Sequence, residues 1–100
     1  MRDPLHAIDT SQEAVAARLN LVMEAFDDSP TRFASRIGVT PQVVANWRAS
    51  QFVSREGAVA ILRTYGVSID WLLVGLEHKL EGDARIKIQE ARAKRLKRSA

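Results

Sequence analysis

The chain has 100 residues, 46% hydrophobic and 27% charged, so it can form one small globular domain with its own core but not a large multidomain enzyme. It contains no cysteine, which excludes disulfide bonds and thiolate metal sites, and its apolar runs are too short to cross a membrane, so we expect a cytoplasmic protein. The net charge is +3, and basic side chains concentrate in residues 30–63 and 84–100, where a polyanionic partner would bind.

The first three predicted helices have clear start and stop signals. Thr10 and Glu13 have the spacing of a capping box, and apolar residues then recur at helical spacing, which predicts a helix from about residue 11 to residue 26. Ser29 before a proline starts a second helix of about two turns, which Gly38 ends. Thr40 before a second proline starts a third short helix that runs to about residue 48.

Three further helices are predicted after the third. Ser54 caps a fourth helix that ends at Gly66, and Ser68 caps a fifth that closes at Gly75. The inner face expected for the fourth consists of Val59, Leu62, Ala58 and Ile61. Residues 83–98 lack glycine and proline and are rich in helix formers, so they form a basic final helix with Ala84, Ile88 and Ala91 as its apolar stripe.

The second and third helices form a helix-turn-helix pattern, in which the second helix of the pair is presented to the DNA major groove. Ala34 is small where the helices approach, Gly38 permits the turn, and Val44 and Trp47 face the core. Residues 30–47, followed by the run from Gly66 to Gly75 (GVSIDWLLVG), resemble the Xre/Cro family of lambda-type phage repressors. This resemblance covers roughly residues 11–76 and implies a compact all-α, five-helix, lambda-repressor-like domain.

The candidate DNA-binding residues lie on the third helix and near the ends of its neighbours. Because Val44 and Trp47 face inward, the opposite surface of the third helix is expected to contact bases, and the family places its base readers there. Gln42 and Asn46 are the strongest candidates, since a side-chain amide can make a bidentate contact to adenine. The full set of predicted base contacts is Thr40, Pro41, Gln42, Ala45 and Asn46. The predicted phosphate contacts are Thr31, Arg32, Arg48, Ser50, Gln51 and Arg55.

Several other residues carry expectations that a structure can examine. Trp47 and Trp71 are expected in the core rather than as stacking platforms, and Phe52 is expected to plug the core, with an exposed contact as its alternative. The basic tail is either a solvated helix or a DNA-binding arm. A homodimer is expected because the family usually doubles its contacts by symmetry. The predicted dimer interface consists of Leu72, Leu73, Leu76 and Leu80, partly exposed in the monomer.

The sequence therefore predicts a sequence-specific regulator that binds double-stranded DNA, most simply a phage or bacterial repressor acting as a dimer on a palindromic operator. We divide the chain into an N-terminal extension (1–10), a helix-turn-helix domain (11–76) and a basic C-terminal helix or tail (77–100). No enzyme activity, cofactor or metal is expected, because the chain has no paired histidines and no phosphate-binding loop. Two alternatives remain open: an antitoxin that binds its toxin through a terminal segment, and a protein interaction module that has lost DNA binding.

Overall fold

A computed structural model describes residues 8–99, and this part of the chain is helical with short connections. The α-helices are α1 (Gln12–Ala25), α2 (Pro30–Ile37), α3 (Pro41–Ala49), α4 (Arg55–Tyr65) and α5 (Gly82–Ser99). A π-helical segment (Asp70–Val74) and a 3-10 turn (Glu77–Lys79) lie between α4 and α5. The predicted all-α fold class is confirmed. Residues 1–7, which make up most of the predicted N-terminal extension, lie outside the described residues.

Helix starts follow the predicted capping chemistry, with one correction. Ser29 accepts a hydrogen bond from the Arg32 N–H through its Oγ (3.2 Å), and Ser54 accepts one from the Gly57 N–H (3.0 Å). In α1 the cap is Ser11 rather than Thr10, because the Ser11 Oγ accepts from Ala14 N–H at 3.1 Å. The capping-box prediction at Thr10 was therefore wrong by one residue.

The buried face of α4 also differs from the prediction. Ala58, Ile61 and Tyr65 are buried, whereas Leu62 is 41% exposed and Val59 is only partly buried. The run from residue 58 to residue 62 is apolar throughout, so its pattern does not define one stripe. Tyr65 decides the orientation, because its ring packs against Phe33.

The core is built around α1, which packs against α3, α5 and the π-helical segment. Leu19, Phe33 and Trp71 have no exposed surface. The final helix α5 is docked on this core through its predicted stripe, since Ala84, Ile88 and Ala91 are all buried. The first part of α5, up to Ala91, is therefore packed on the core, whereas residues 93–98 are exposed.

Hydrogen bonds from the side chain of Arg18 connect three parts of the fold. Its guanidinium donates to the Leu72 carbonyl (3.1 Å) and to the Asp9 carbonyl (2.6 Å). The Asp9 N–H in turn donates to the Val74 carbonyl (3.1 Å). The segment before α1 is thus hydrogen-bonded to the π-helical segment, and α1 supplies the side chain between them.

Candidate nucleic-acid interface

The turn between α2 and α3 has the predicted geometry. Gly38 adopts a left-handed conformation (φ 78°), and Val39 N–H donates to the Ala34 carbonyl at 3.0 Å. Ala34 is fully buried where the two helices meet. Val44 and Trp47 anchor the inner side of α3 with 0% and 4% exposure, so the opposite side of α3 faces away from the core.

The predicted base-reading residues lie together on that outer side. Thr40, Pro41, Gln42 and Ala45 are exposed, and Asn46 is half-buried. Gln42 and Asn46 are joined by a hydrogen bond in which Gln42 Nε2 donates to Asn46 Oδ1 at 3.0 Å. The structure thus gathers two amides, a hydroxyl and two small apolar surfaces on one face, a set that can meet base edges and thymine methyl groups.

Contacts that sequence reasoning missed position the C-terminal end of α3. Gln12 Nε2 donates to the Trp47 carbonyl at 2.7 Å, and Arg48 Nε donates to Asn20 Oδ1 at 2.7 Å. Both partners belong to α1, so α1 holds the end of α3 directly. No local signal identifies Gln12 or Asn20, because they lie 35 and 28 residues from their partners.

The predicted phosphate contacts are exposed side chains near the ends of α2, α3 and α4. They are Thr31, Arg32, Arg48, Ser50, Gln51 and Arg55. Arg55 is the first residue of α4, and Thr31 lies in the first turn of α2. N–H groups and positive dipole ends at such termini attract phosphate, and the arginines add charge. Arg32 also lies 4.0 Å from the Asp28 carboxylate.

Arg36 and Arg63 extend this basic surface beyond the predicted residues. Together with Arg55 they line a cleft of about 350 Å³ between α2 and α4, with Ile37 and Val59 among its apolar walls. The net positive charge of residues 30–63 indicated that basic side chains concentrate in this region, but the sequence did not indicate that these three arginines share a cleft.

The buried carboxylate of Asp28 contacts side chains of α2 and of α4. Asp28 accepts a hydrogen bond from the Tyr65 hydroxyl (2.7 Å) and pairs with the Arg36 guanidinium (3.1 Å). Burial, together with the hydrogen bond to Asp28, raises the pKa of the Tyr65 hydroxyl above its ordinary value, so the hydroxyl remains a donor into the alkaline range.

Phe52 is placed differently from the expectation, and two of the four predicted interface leucines are buried in the monomer. Phe52 is 63% exposed, and the neighbouring Val53 is buried in its stead, so the prediction that Phe52 plugs the core was wrong. Leu72 and Leu80 are 0% and 1% exposed because they pack inside the chain. Only Leu73 and Leu76, both half-buried, remain as the part of the predicted dimer interface that a partner can reach.

The charge of the basic final helix is neutralised in part by Glu24 of α1 and Glu77 of the 3-10 turn, both at the surface. Arg95 and Arg98 each contact one oxygen of Glu24 at 2.6 Å, and Arg92 forms a two-point contact with Glu77. These hydrogen bonds, above all the one from Arg95, hold the pKa of Glu24 below its usual range. The sequence indicated the positive charge of the tail but not its partners.

Neither a metal-binding cluster nor a membrane-spanning helix occurs in the part of the chain that the structure describes. No group of three histidine, aspartate or glutamate side chains is arranged to hold a metal ion among residues 8–99. Within the same range, no helix combines the length and apolar character needed to span a membrane.

Comparison with known families gives one result that bears on this geometry. The model of the bacteriophage CI repressor helix-turn-helix domain matches residues 10–79, well over half of the chain. The match includes α1 to α4, the π-helical segment and the 3-10 turn, and it ends before α5. Comparisons with curated proteins and with solved structures found no match.

Proposed function

The chain belongs to the bacteriophage CI repressor helix-turn-helix family, and from this premise we propose that it is a repressor that recognises one operator sequence in double-stranded DNA. The coarser function, a DNA-binding regulator, follows from the family. The single observation that carries the finer proposal is the outer face of α3, where Gln42 and Asn46 present amides between exposed phosphate-binding candidates.

In the proposed complex α3 is the recognition helix and lies in the major groove. Its outer residues contact bases, while the arginines at the ends of α2, α3 and α4 contact phosphates on either side. Phosphate contacts fix the register of α3, and base contacts determine which sequence binds. Occupying the operator would block a promoter without any chemical step, and such a regulator would act in the cytoplasm.

We further propose that two copies bind one palindromic operator. One short recognition helix reads only a few base pairs, so two-fold symmetry doubles both contacts and specificity. Leu73 and Leu76 support this assignment, because they are the two predicted interface leucines that are only half-buried in the monomer, and Leu73 packs against the core. The two half-sites should then be roughly 34 Å apart, about one turn of the duplex.

Selection of bound duplexes from a random DNA pool tests the proposal directly. The expected result is an enriched sequence with two-fold symmetry, and sedimentation with this operator should show two chains for each duplex. Recovery of duplexes without a shared sequence would contradict specific recognition. One chain for each duplex at every concentration would contradict the dimer alone.

A further inference from the structure

The cleft between α2 and α4 has an apolar floor and basic ends. Its volume is about 350 Å³, and Ile37 of α2 faces Val59 and Ala60 of α4 across it. On α4, Arg55 lies four residues before Val59, and Arg63 lies four residues after it. Residues four positions apart form a continuous ridge on a helix. This ridge therefore presents a positive charge, an apolar side chain and a second positive charge, with about 12 Å between the two arginines along the helix axis.

The charge of the cleft is not neutralised by the residues that the structure describes. Within this part of the chain, no carboxylate forms an ion pair with Arg55 or Arg63, and both side chains are exposed. Across the cleft Arg36 pairs with Asp28, yet 51% of the Arg36 side chain is exposed. Glu56 also lines the cleft and offsets one of the three positive charges. The cleft is therefore suited to an anionic partner.

Two features of the cleft favour a protein partner over DNA. First, α4 packs on the inner side of α3, where Gly57 lies against Trp47, and Arg63 is six residues, or about 9 Å, further along α4. Second, a phosphate backbone supplies charge but would leave Ile37 and Val59 uncovered. An acidic amphipathic helix supplies carboxylates and an apolar side chain together, and such helices bind in grooves of this kind.

We propose that the cleft between α2 and α4 binds an acidic amphipathic helix of a partner protein. The helix presents an acidic, an apolar and an acidic side chain at intervals of four residues, so that its ridge matches Arg55, Val59 and Arg63. The two carboxylates pair with the guanidiniums, and the apolar side chain packs between Val59 and Ile37. This contact requires neither an operator nor a dimer and goes beyond the proposed function.

A second copy of the chain is a less suitable occupant. No helix among the described residues places two acidic side chains eight positions apart with an apolar residue midway. The exposed acidic side chains of α5, Asp83 and Glu90, are interspersed with Arg85 and Lys87. The positive charge of α5 would also be repelled by the arginines of the cleft.

A designed peptide tests the proposal on the full chain without DNA. The probe is a fluorescein-labelled helical peptide of about 20 residues, built from alanine and glutamine, with Glu, Leu and Glu at intervals of four. A scrambled peptide of the same composition places these three residues on different faces. Fluorescence anisotropy gives both dissociation constants. We expect the matched peptide to bind roughly tenfold more tightly than the scrambled one, because only the matched peptide uses both arginines and the apolar floor.

A charge exchange at Arg63 locates the binding site. Arg63 is the residue to change, because Arg55 is also a predicted phosphate contact. Arg63→Glu should weaken binding of the matched peptide roughly 5- to 30-fold, and a peptide with one Glu replaced by Lys should bind this variant more tightly than the wild type. Arg85→Glu makes the same charge change on the exposed side of α5 and should alter binding by less than about twofold. Circular dichroism verifies that each variant is folded.

Equal affinity for the matched and scrambled peptides would overturn the proposal, because charge alone would then explain binding. Equal losses in Arg63→Glu and Arg85→Glu would also overturn it. If Arg63→Glu weakens binding to duplex DNA and leaves peptide binding unchanged, the cleft belongs to the DNA-binding surface. If it abolishes self-association in sedimentation instead, the occupant is a second copy. None of these results depends on whether the chain selects an operator, so the proposed function stands or falls separately.

Discussion

Gly57 lies where α4 packs against the inner side of α3, and this contact leaves no room for a side chain. A β-carbon at this position would lie 2.8 Å from Trp47 Cζ2, closer than packed carbon atoms approach. Trp47 belongs to α3 and is 4% exposed, so it has little space to move away. The small size of Gly57 therefore lets α4 approach the inner side of α3.

We expect Gly57→Ala to lower the free energy of unfolding by about 1–3 kcal/mol, the usual cost of overpacking. This outcome is opposite to the gain of roughly 1 kcal/mol that alanine gives at an unconstrained helical position. Urea denaturation measures the change, and Arg63→Ala on the exposed side of α4 should stay within about 0.5 kcal/mol of the wild type. A Gly57→Ala variant as stable as the wild type would contradict the close contact.

Tyr65 is the one tyrosine in the sequence, so its ionisation can be followed without interference from others. Its hydroxyl donates to Asp28, and its ring lies 4.9 Å from the Phe26 ring and 5.2 Å from the Phe33 ring. Burial and the Asp28 carboxylate both oppose formation of a second negative charge, which raises the pKa of Tyr65.

We expect tyrosinate absorbance of the native protein to rise only above the ordinary tyrosine pKa of about 10, and that of the urea-unfolded chain to rise near it. Because the folded-state pKa is the higher one, the contribution of Tyr65 to stability is complete below about pH 10 and is lost as the pH rises above that value. Tyr65→Phe should remove this alkaline component. Identical titrations in the native and unfolded chains would disprove the buried bond.

At the scale of elements, α5 is held on the core by two kinds of contact of very different strength. Ile88 is completely buried, whereas the carboxylate of Glu24 and the guanidiniums of Arg95 and Arg98 are partly exposed. Exposed ion pairs contribute roughly 0.2–1 kcal/mol because water and salt screen them. Removing a buried aliphatic side chain down to alanine costs about 2–5 kcal/mol. Packing should therefore dominate the docking of α5.

We expect Ile88→Ala to destabilise the protein by about 2–5 kcal/mol and Glu24→Gln by no more than about 1 kcal/mol. Urea denaturation at neutral pH compares them, with exposed Ile86→Ala as the matched control that should have little effect. The Glu24 contribution should be present above the ordinary glutamate pKa and be lost as the pH falls through its lower folded-state value. A larger loss for Glu24→Gln than for Ile88→Ala would contradict this order.

At the scale of the whole molecule, the question is whether the positive charge of the tail reaches DNA. Residues 84–100 carry a net charge of +6. Three arginines in this range form ion pairs: Arg92 with Glu77, and both Arg95 and Arg98 with Glu24. Such pairs reduce the field available to a phosphate backbone. The arginines of α2 are paired in the same way, because Arg32 and Arg36 face the Asp28 carboxylate. Long-range attraction should then be shared between the tail and the arginines near α2, α3 and α4.

We expect Lys94→Ala and Lys97→Ala together to flatten the slope of log affinity against log salt by at most roughly 0.9 for each lysine, and only if those side chains reach phosphates. Arg55→Ala, at the start of α4, should flatten the slope by about 0.9 and weaken binding to all sequences alike. Salt titrations on operator and random duplexes provide both measurements. An unchanged slope for Arg55→Ala, beside a large change for the two lysines, would move the phosphate-binding surface to the tail.

The sequence by itself was sufficient for features that neighbouring residues determine. The limits of α2 and α3 were predictable from Ser29, Gly38 and Thr40, because capping and left-handed turns depend on residues only a few positions apart. The docked stripe of α5 was predictable for the same reason, since Ala84, Ile88 and Ala91 recur with the helical period. These local rules were enough to predict the all-α class and the helix-turn-helix.

Only the tertiary structure decided matters that depend on distant residues. It selected the Tyr65 face of α4 over Leu62, buried Leu80, left Phe52 exposed, and paired Arg95 with Glu24 across 71 positions of sequence. For the apolar residues, several side chains have the right polarity, and the outcome depends on which of them fits the space left by a neighbouring helix. The ion pair depends on where α5 docks against α1. Packing competition of this kind has no periodic signature along the chain, so it becomes visible only when the helices are assembled.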